Sequence, residues 1–164
     1  MQVDQKSFRE AMARLGAAVN VITSNGPTGR CGFTASAVCS VTDDPPTLLV
    51  CMRRAGDLNG QFKENGVLCV NILAGSHQEI SNSFASQSQA KNDVEARFAK
   101  ASWETLVTGS PALSDALVAL DCRIANIVEV GTHSVLFCEV QAVKLGEEAP
   151  ALIYYKRGYH GVGA

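Results

Sequence analysis

The feature that most constrains this chain is a series of short apolar runs separated by turn signals. Runs of this kind, rich in β-branched residues and bounded by Gly, Pro, Asn or Asp, predict strands. The sequence contains about seven of them, over residues 18–23, 31–41, 47–52, 67–73, 117–130, 135–143 and 151–155. Because helices do not alternate regularly with these runs, the pattern favours a largely antiparallel barrel with peripheral helices over a doubly wound sheet.

Helical periodicity is confined to short stretches of the chain. Residues 4–15 are predicted to form a helix, with Asp4 at the N-cap. Its apolar residues share one face at helical spacing, namely Phe8, Ala11, Met12 and Leu15. Three shorter helices are predicted further on, near 57–65, 76–84 and 96–98. The polar stretch 86–93 is predicted to be a mobile loop.

Length and charge limit the class of protein. A chain of 164 residues and 17.3 kDa predicts one domain spanning 1–164, large enough for a core without covalent staples. The net charge of −2 argues against nucleic acid as a partner. No apolar stretch reaches the roughly 18 residues of a membrane span. The N-terminus has no apolar signal core, so we expect a cytoplasmic protein with no membrane partner.

Cysteine and histidine usage argues against disulfides and metals. The six cysteines form no CxxC pair, and several lie inside apolar runs, so we expect reduced thiols. The three histidines, at positions 77, 133 and 160, have no metal-ligand spacing, and no metal site is predicted.

Common nucleotide and hydrolase motifs are absent from the sequence. Gly26, Gly29 and Gly32 have GxxGxxG spacing and precede a strand, which does not match the GxGxxG dinucleotide fingerprint. The sequence has no Walker loop, no HExxH and no GxSxG elbow. These absences argue against the best-known nucleotide-binding, zinc-protease and serine-hydrolase classes.

The segment 32–46 carries the most informative pattern. Hydroxyl residues at 34, 36 and 40 alternate with small apolar residues, which predicts that all three hydroxyls face one side of a strand. Such a row leaves backbone N–H groups within reach of a flat polar ring or a phosphate. The residues alone leave two interpretations open: a ligand-binding strand, or a Ser/Thr-rich edge strand that faces water.

Motifs along nearly the whole chain resemble the short-chain flavin reductase family, the reductase components of two-component flavin-dependent monooxygenases. The motifs that carry this resemblance are FREAM, GAAVNVIT, CGFTASAVCSVTDDPPTLLVC, LCVNIL, ALVALDCRI, VGTHSVLFCEV and LIYYKRGYH. The sequence is most similar to reductases serving pyrimidine-ring oxygenases, followed by 4-hydroxyphenylacetate 3-monooxygenase reductases. The resemblance implies a split β-barrel that binds flavin at a homodimer interface.

The resemblance also implies which residues form the flavin site. The strand segment expected to line the flavin contributes Thr34, Ala35, Ser36, Ser40 and Val41. Asn71 is expected close to the flavin, although an amide that satisfies barrel backbone is an equal alternative. Arg53 or Arg54 is expected to contact phosphate, although Asp57, where relatives often carry Ser or Thr nearby, would repel it.

The resemblance assigns further residues to the nicotinamide side. His133, in the Gly-Thr-His turn, is expected to act there as the catalytic-site residue; an ordinary hydrogen-bonding histidine is the alternative. Arg157, Tyr159 and His160 are expected to close over the flavin or the dinucleotide, and a surface tail is the alternative.

The implied activity is hydride transfer from nicotinamide C4 to flavin N5, followed by release of reduced flavin to a partner monooxygenase. FMN is preferred with FAD as the second choice, and NADH is preferred to NADPH. Two alternatives share the same barrel. One is a non-catalytic module that binds flavin or haem, and the other is a flavin-binding oxidase with its own organic substrate.

Overall fold

The fold is mainly β with short helices at its periphery, as the sequence predicts. The computed structural model describes residues 2–86, 88 and 92–163. Its helices are α1 (Gln5–Met12), α2 (Leu58–Asn65), α3 (Gln78–Phe84) and α4 (Val94–Phe98). Its strands are β1 (Ala17–Ala18), β2 (Asn20–Ser24), β3 (Cys31–Ala35), β4 (Val38–Asp43), β5 (Pro46–Arg53), β6 (Val67–Ile72), β7 (Trp103–Thr105), β8 (Pro111–Leu113), β9 (Val118–Val130), β10 (His133–Leu145), β11 (Ala151–Tyr155) and β12 (Gly158–Val162).

Seven antiparallel strands form the central sheet, in the order β3-β2-β6-β9-β10-β5-β4. Its two outermost strands, β3 and β4, are joined by only residues 36 and 37, so the sheet must curl until its edges approach each other. No β3–β4 ladder closes the ring among the described residues. The result is a split barrel. A second sheet, β1-β11-β12, and a short β7-β8 pair complete the structure.

The expectation of one continuous strand over 31–41 is wrong. The chain bends at Ser36 and Ala37, and the two halves pair with different neighbours, β3 with β2 and β4 with β5. The physical reason is that the sheet curls, so one extended segment cannot follow both of its edges. Thr34 and Ser40 therefore lie on different strands, and the three hydroxyls do not form one row.

The barrel interior is filled by aliphatic side chains from opposite sides of the sheet. Ile22, Val50, Leu68 and Leu136 are fully buried there. Phe62 of α2 covers one opening, with its ring edge-on to Phe33 at a centroid separation of 5.3 Å. Apolar burial of this kind contributes about 25 cal/mol per Å².

A second apolar cluster lies between the sheet and α3, α4 and the C-terminal hairpin. Its aromatic members are Phe84, Phe98 and Trp103, with centroid separations of 4.9 to 5.7 Å. This cluster fixes α3 and α4 beside β3, which positions the functional site.

The predicted N-terminal helix is present but its apolar face is not buried. The Asp4 carboxylate accepts a hydrogen bond from Ser7 N at 2.8 Å, as expected of an N-cap. No residue of α1 is buried, however, and Phe8 and Leu15 are about 60% exposed (59% and 62%). The stripe that periodicity identified therefore faces away from this chain's own core.

Two hairpin turns contain residues with positive φ. The β9–β10 turn consists of Gly131 and Thr132, and Gly131 has a φ of +55°, which a residue without a Cβ adopts at little cost. The β11–β12 turn consists of Lys156 and Arg157, which both have positive φ.

All six cysteines, which lie within the described ranges, are free thiols, in agreement with the sequence. Within the same ranges no helix is long and apolar enough to span a membrane. No cluster of three or more potential metal ligands occurs there either. The predicted 86–93 loop lies partly outside the described residues.

Candidate functional site

A cavity of about 840 Å³ opens beside β3, where the two edges of the curled sheet approach each other. Its walls come from β3 and the bend after it, the end of β5, the start of α2, the end of α3, and α4. Ligand cavities in proteins commonly measure about 300–1,000 Å³, so this one can hold a cofactor-sized molecule.

Three of the predicted flavin-lining residues form one side of the cavity. These are Thr34, Ala35 and Ser36. The Thr34 hydroxyl donates to Ser81 O at 2.6 Å, so it is already used within the protein. The Ser36 hydroxyl has no partner among the residues described, and it is exposed. Small side chains at 35–37 leave this wall flat, and Ser36 provides a polar group for a ligand.

Arg53 and His133 lie together at the rim. They are directly paired in the β5–β10 ladder, and both line the cavity. His133 Nδ1 lies 2.9 Å from the Thr132 hydroxyl, which fixes the imidazole orientation. Nε2 is then the ring nitrogen that remains for a ligand.

The contacts of Arg53 and Arg54 distinguish the two arginines. Arg54 donates to Gly131 O at 3.1 Å, and its Nε lies 3.1 Å from the Glu129 carboxylate. Arg54 does not line the cavity, whereas Arg53 does. Arg54 therefore holds the turn that precedes His133, and Arg53 is the one of the two arginines that lines the cavity.

Glu129 connects several of the residues that hold the β9–β10 turn in place. Its carboxylate contacts Lys63 Nζ at 2.5 Å and accepts from the Ser134 hydroxyl at 2.7 Å, in addition to its contact with Arg54. The hydrogen bonds from Lys63 and Ser134 lower the pKa of Glu129 below its ordinary value. Asn59 of α2 links Ser134 Oγ to Arg53 O, at 3.0 and 3.1 Å.

Asp57 also lines the cavity, as Arg53 does. It occupies the N-cap position of α2, but its carboxylate makes no capping hydrogen bond. A carboxylate at this end of the cavity opposes a phosphate there, so Arg53 contributes less to anion binding than an isolated arginine would.

Arg97 of α4 is a cavity residue that the sequence did not single out. It is buried, and its guanidinium donates to Gly32 O at 3.1 Å and Ala85 O at 3.2 Å, with Phe84 O at 3.5 Å. Burial lowers its pKa. Arg97 joins α4 to β3 and to the end of α3. The only sequence signal was its place beside Phe98 in a short helix, where Asp93 accepts from Ala96 N at 3.0 Å as the N-cap.

Asn71 lies outside the cavity. Its side chain is fully buried, donates to Val21 O at 3.0 Å, and accepts from Leu113 N at 2.8 Å. This is the backbone-satisfying role that the sequence left open, and the amide has no surface from which to reach a ligand. Ser40 and Val41 also lie outside, on the exposed strand β4.

The C-terminal residues divide between a second cleft and the surface. Arg157 and Tyr159 line a cleft of about 390 Å³ between the end of α3 and the β11–β12 hairpin. His160 is exposed on β12, with its ring 6.1 Å from that of Tyr155. None of the three lines the main cavity.

A curled antiparallel sheet with a flat, hydroxyl-bearing cavity at its open seam defines a split-barrel flavin-binding protein. The chain belongs to the flavin reductase like domain family, whose model matches residues 12–163. The resemblance found in the sequence is thereby confirmed.

Named relatives agree with this assignment. The chain is 52% identical to the FMN reductase (NADH) RutF of Serratia proteamaculans, over 98% of this chain and 89% of the relative. It is 47% identical to a putative flavin reductase structure from Haemophilus somnus, with a TM-score of 0.90 over 98% of this chain and 100% of that one. The homologue of nitrilotriacetate monooxygenase component B from Mycobacterium thermoresistibile is 26% identical, with a TM-score of 0.87 over 98% of this chain and 87% of that one.

Proposed function

We propose that this chain is an NADH-dependent flavin reductase that delivers reduced FMN to a partner monooxygenase, with FAD as the second flavin. The observation that carries the proposal is the pairing of Arg53 and His133 at the rim of the flat Thr34–Ser36 wall. The name of the Serratia relative supports FMN and NADH, and the name of the Mycobacterium relative supports a monooxygenase partner.

The cavity suits an isoalloxazine ring. Ala35, Ser36 and Ala37 provide a wall without bulky side chains, and Val94 and Phe98 of α4 also line the cavity with apolar side chains. A flat tricyclic ring needs one such flat wall and a few polar groups at its edge. Ser36 Oγ, which has no partner in the described chain, is our choice for the group that meets that polar edge.

The protein's contribution to the reaction is positioning. Flavin and nicotinamide supply the hydride chemistry themselves, so no general acid or base is required of the protein. The chain must hold the two rings about 3–3.5 Å apart. We assign this to the Ser36 wall on the flavin side and to His133 on the nicotinamide side, where Nε2 can hydrogen-bond the carboxamide.

The site is suited to release its flavin. Arg53 and Asp57 both line the cavity, and a carboxylate there would oppose a phosphate bound to the arginine. A ligand held with micromolar Kd is bound by about 8 kcal/mol, whereas picomolar binding, at about 16 kcal/mol, would trap the reduced product. Arg53 has Asp57 on the same cavity wall, and the Arg97 guanidinium donates to Gly32 O and Ala85 O, so weak binding is favoured.

We also propose that the chain, acting as one domain over 1–164, forms a homodimer. Strand β4 is an outer strand exposed along most of its length, and it carries Ser40 and Val41. An exposed edge with little charge is a template for pairing. The uncovered apolar face of α1 offers a second contact area. A partner that covered β4 would bring Ser40 and Val41 to the margin of the flavin site.

Sedimentation equilibrium tests this arrangement. Wild-type protein should have about twice the 17.3 kDa chain mass, and Val41→Lys should shift it towards monomer because a buried lysine loses its hydration. A monomeric wild type would refute the homodimer. With its free thiols, the protein is proposed to act in the cytoplasm.

The activity is tested by mixing the protein with NADH and free FMN and following both absorbance bands. Flavin-dependent NADH oxidation is expected, and its absence would defeat the proposal. Purified protein that retains flavin or haem without turnover would instead indicate a non-catalytic module.

Variants test the assignment of the Ser36 wall to the flavin and of His133 to the nicotinamide. Ser36→Leu should weaken FMN binding because the leucine occupies the flat wall. Ser102→Leu, at an exposed serine outside the cavity, is its matched control. His133→Ala should raise KM for NADH and leave FMN affinity nearly unchanged. Equal losses of both affinities would mean that His133 has a structural role only.

A further inference from the structure

His133 lies at the very end of the strand ladders that hold it. It is the first residue of β10, and it pairs with the last residue of β5, Arg53, and with the last residue of β9, Val130. Its hydrogen bond with the Thr132 hydroxyl orients the imidazole relative to the turn only. Because ladder ends open more readily than ladder centres, the position of His133 depends on what ties this hairpin tip to the barrel.

Ser134 provides such a tie from the opposite face of β10. Successive residues of a strand point to opposite faces, so Ser134 points into the barrel whereas His133 points to the cavity. Ser134 is fully buried, as is Leu136 two residues further along the strand. Its hydroxyl donates to Glu129 Oε2 at 2.7 Å and accepts from Asn59 Nδ2 at 3.0 Å. One buried hydroxyl thus joins β10 to β9 and to α2.

Helix α2 is a firm anchor for this tie. The same Asn59 Nδ2 also donates to Arg53 O at 3.1 Å, at the end of β5. One turn further along the helix, Lys63 Nζ contacts the Glu129 carboxylate at 2.5 Å. Residues 55–58, which lead into Asn59, line the cavity. The helix that borders the cavity therefore also holds the hairpin tip that carries His133.

We propose that Ser134 is a positioning residue for the nicotinamide side of the reaction, an inference that rests on the proposed reductase function. Ser134 does not line the cavity, so it acts through His133. Its two hydrogen bonds hold the start of β10 in place before NADH arrives. A side chain that is already ordered costs the ligand less conformational entropy on binding. The buried hydroxyl therefore favours NADH binding without touching NADH.

The other end of α2 supplies a matched control. Ser24 is also fully buried, accepts from Asn65 Nδ2 at 3.1 Å and donates to Val67 O at 2.6 Å. It lies on β2 and does not line the cavity. Ser134→Ala and Ser24→Ala each remove one buried hydroxyl between an asparagine of α2 and an acceptor on a strand. Both variants should therefore lower Tm to a similar extent, and a functional difference between them must come from their location.

Steady-state kinetics and a double-mutant cycle test the proposal. Ser134→Ala should raise KM for NADH about fivefold, because NADH must then order His133 itself, and should leave the Kd for FMN unchanged. Ser24→Ala should leave both values unchanged. In a protein that already carries His133→Ala, Ser134→Ala should not change KM further, because the side chain through which it acts is gone. Equal increases of KM in Ser134→Ala and Ser24→Ala, or the same increase with and without His133, would overturn the proposal.

Nuclear magnetic resonance of the histidine rings tests the same point without turnover. The chain has three histidines, and the signal of His133 is assigned by its loss in His133→Ala. This signal should shift or broaden in Ser134→Ala and stay unchanged in Ser24→Ala. An unchanged His133 signal in Ser134→Ala would overturn the proposal. A signal that responds to Ser134→Ala, in a protein that does not oxidise NADH, would keep the positioning of His133 by Ser134 and refute the reductase function.

Discussion

Replacement of Arg97 by leucine should destabilise the protein strongly, because this arginine joins three segments of the cavity wall. Two of its hydrogen bonds, to Gly32 O and Ala85 O, are 3.1 and 3.2 Å long, and the contact with Phe84 O is at the limit of 3.5 Å. Hydrogen bonds from a charged donor contribute about 1.5–3 kcal/mol each. The two good bonds alone therefore suggest at least about 3 kcal/mol.

In Arg97→Leu, water from the cavity can hydrate part of the carbonyl groups that have lost their donor. We therefore expect the free energy of unfolding to fall by about 3–4 kcal/mol rather than by the full sum. For a chain of this size, 1 kcal/mol shifts Tm by about 2–4 °C, which gives a decrease of about 6–16 °C. Thermal unfolding followed by far-UV circular dichroism measures it. FMN affinity should fall in parallel because the α4 wall loses its connection to β3.

Arg30→Leu is the matched control at the same corner. Arg30 pairs with Glu95 at 2.7 Å, but Glu95's side chain is 80% exposed, and such pairs contribute about 0–1 kcal/mol. The Arg30 guanidinium also lies 4.3 Å from the Phe98 ring centroid, worth about 0.5–1 kcal/mol at an exposed site. Equal decreases of Tm in the two variants, or a decrease below about 4 °C in Arg97→Leu, would refute the conclusion that Arg97 joins α4 to β3 and to the end of α3.

Three further outcomes are expected. Because the pKa of Glu129 is lowered from 4.5, its contacts stabilise the fold above that pH and weaken as pH falls through the lower folded-state value. Glu129→Gln should therefore be less stable than wild type in urea at pH 7, and the difference should vanish in acid; a constant difference would contradict this. A thiol reagent should modify the exposed Cys39 first. Bound FMN should slow the modification of Cys51, because Cys51 lines the cavity. Burial raises the pKa of Cys31 and Cys138 to about 12, so these two thiols should react only when the protein unfolds. Gly32→Ala should lower Tm, because the added Cβ would lie 2.9 Å from the Phe84 ring and 3.0 Å from Ile22 O. An unchanged Tm would show that Phe84 can move away.

Local sequence patterns determined the elements of this protein. Apolar runs between turn residues predicted β2, β5, β6, β9, β10 and β11, whereas β7, β8 and β12 were not predicted. The Asp4 cap and the Gly131 turn followed from side-chain and backbone preferences that act over a few residues. The combination of motifs along the chain also identified the family, because it specifies many positions at once.

The tertiary structure decided which side chains meet. The sheet's curl split 31–41 at Ser36 and placed Ser40 away from Thr34, and no short-range pattern encodes where a sheet's edges come together. Ladder pairing set Arg53 beside His133, whereas Arg54, the first residue after β5, contacts Gly131 and Glu129.

Burial decided the remaining assignments. Asn71 and Arg97 are both polar residues within apolar surroundings, and the sequence could not tell which would be enclosed and which would border a cavity. Contacts with Leu113 and Gly32, 42 and 65 residues away in the chain, settled this. Such contacts depend on how distant elements pack, and a linear pattern carries information only about residues near each other in the chain.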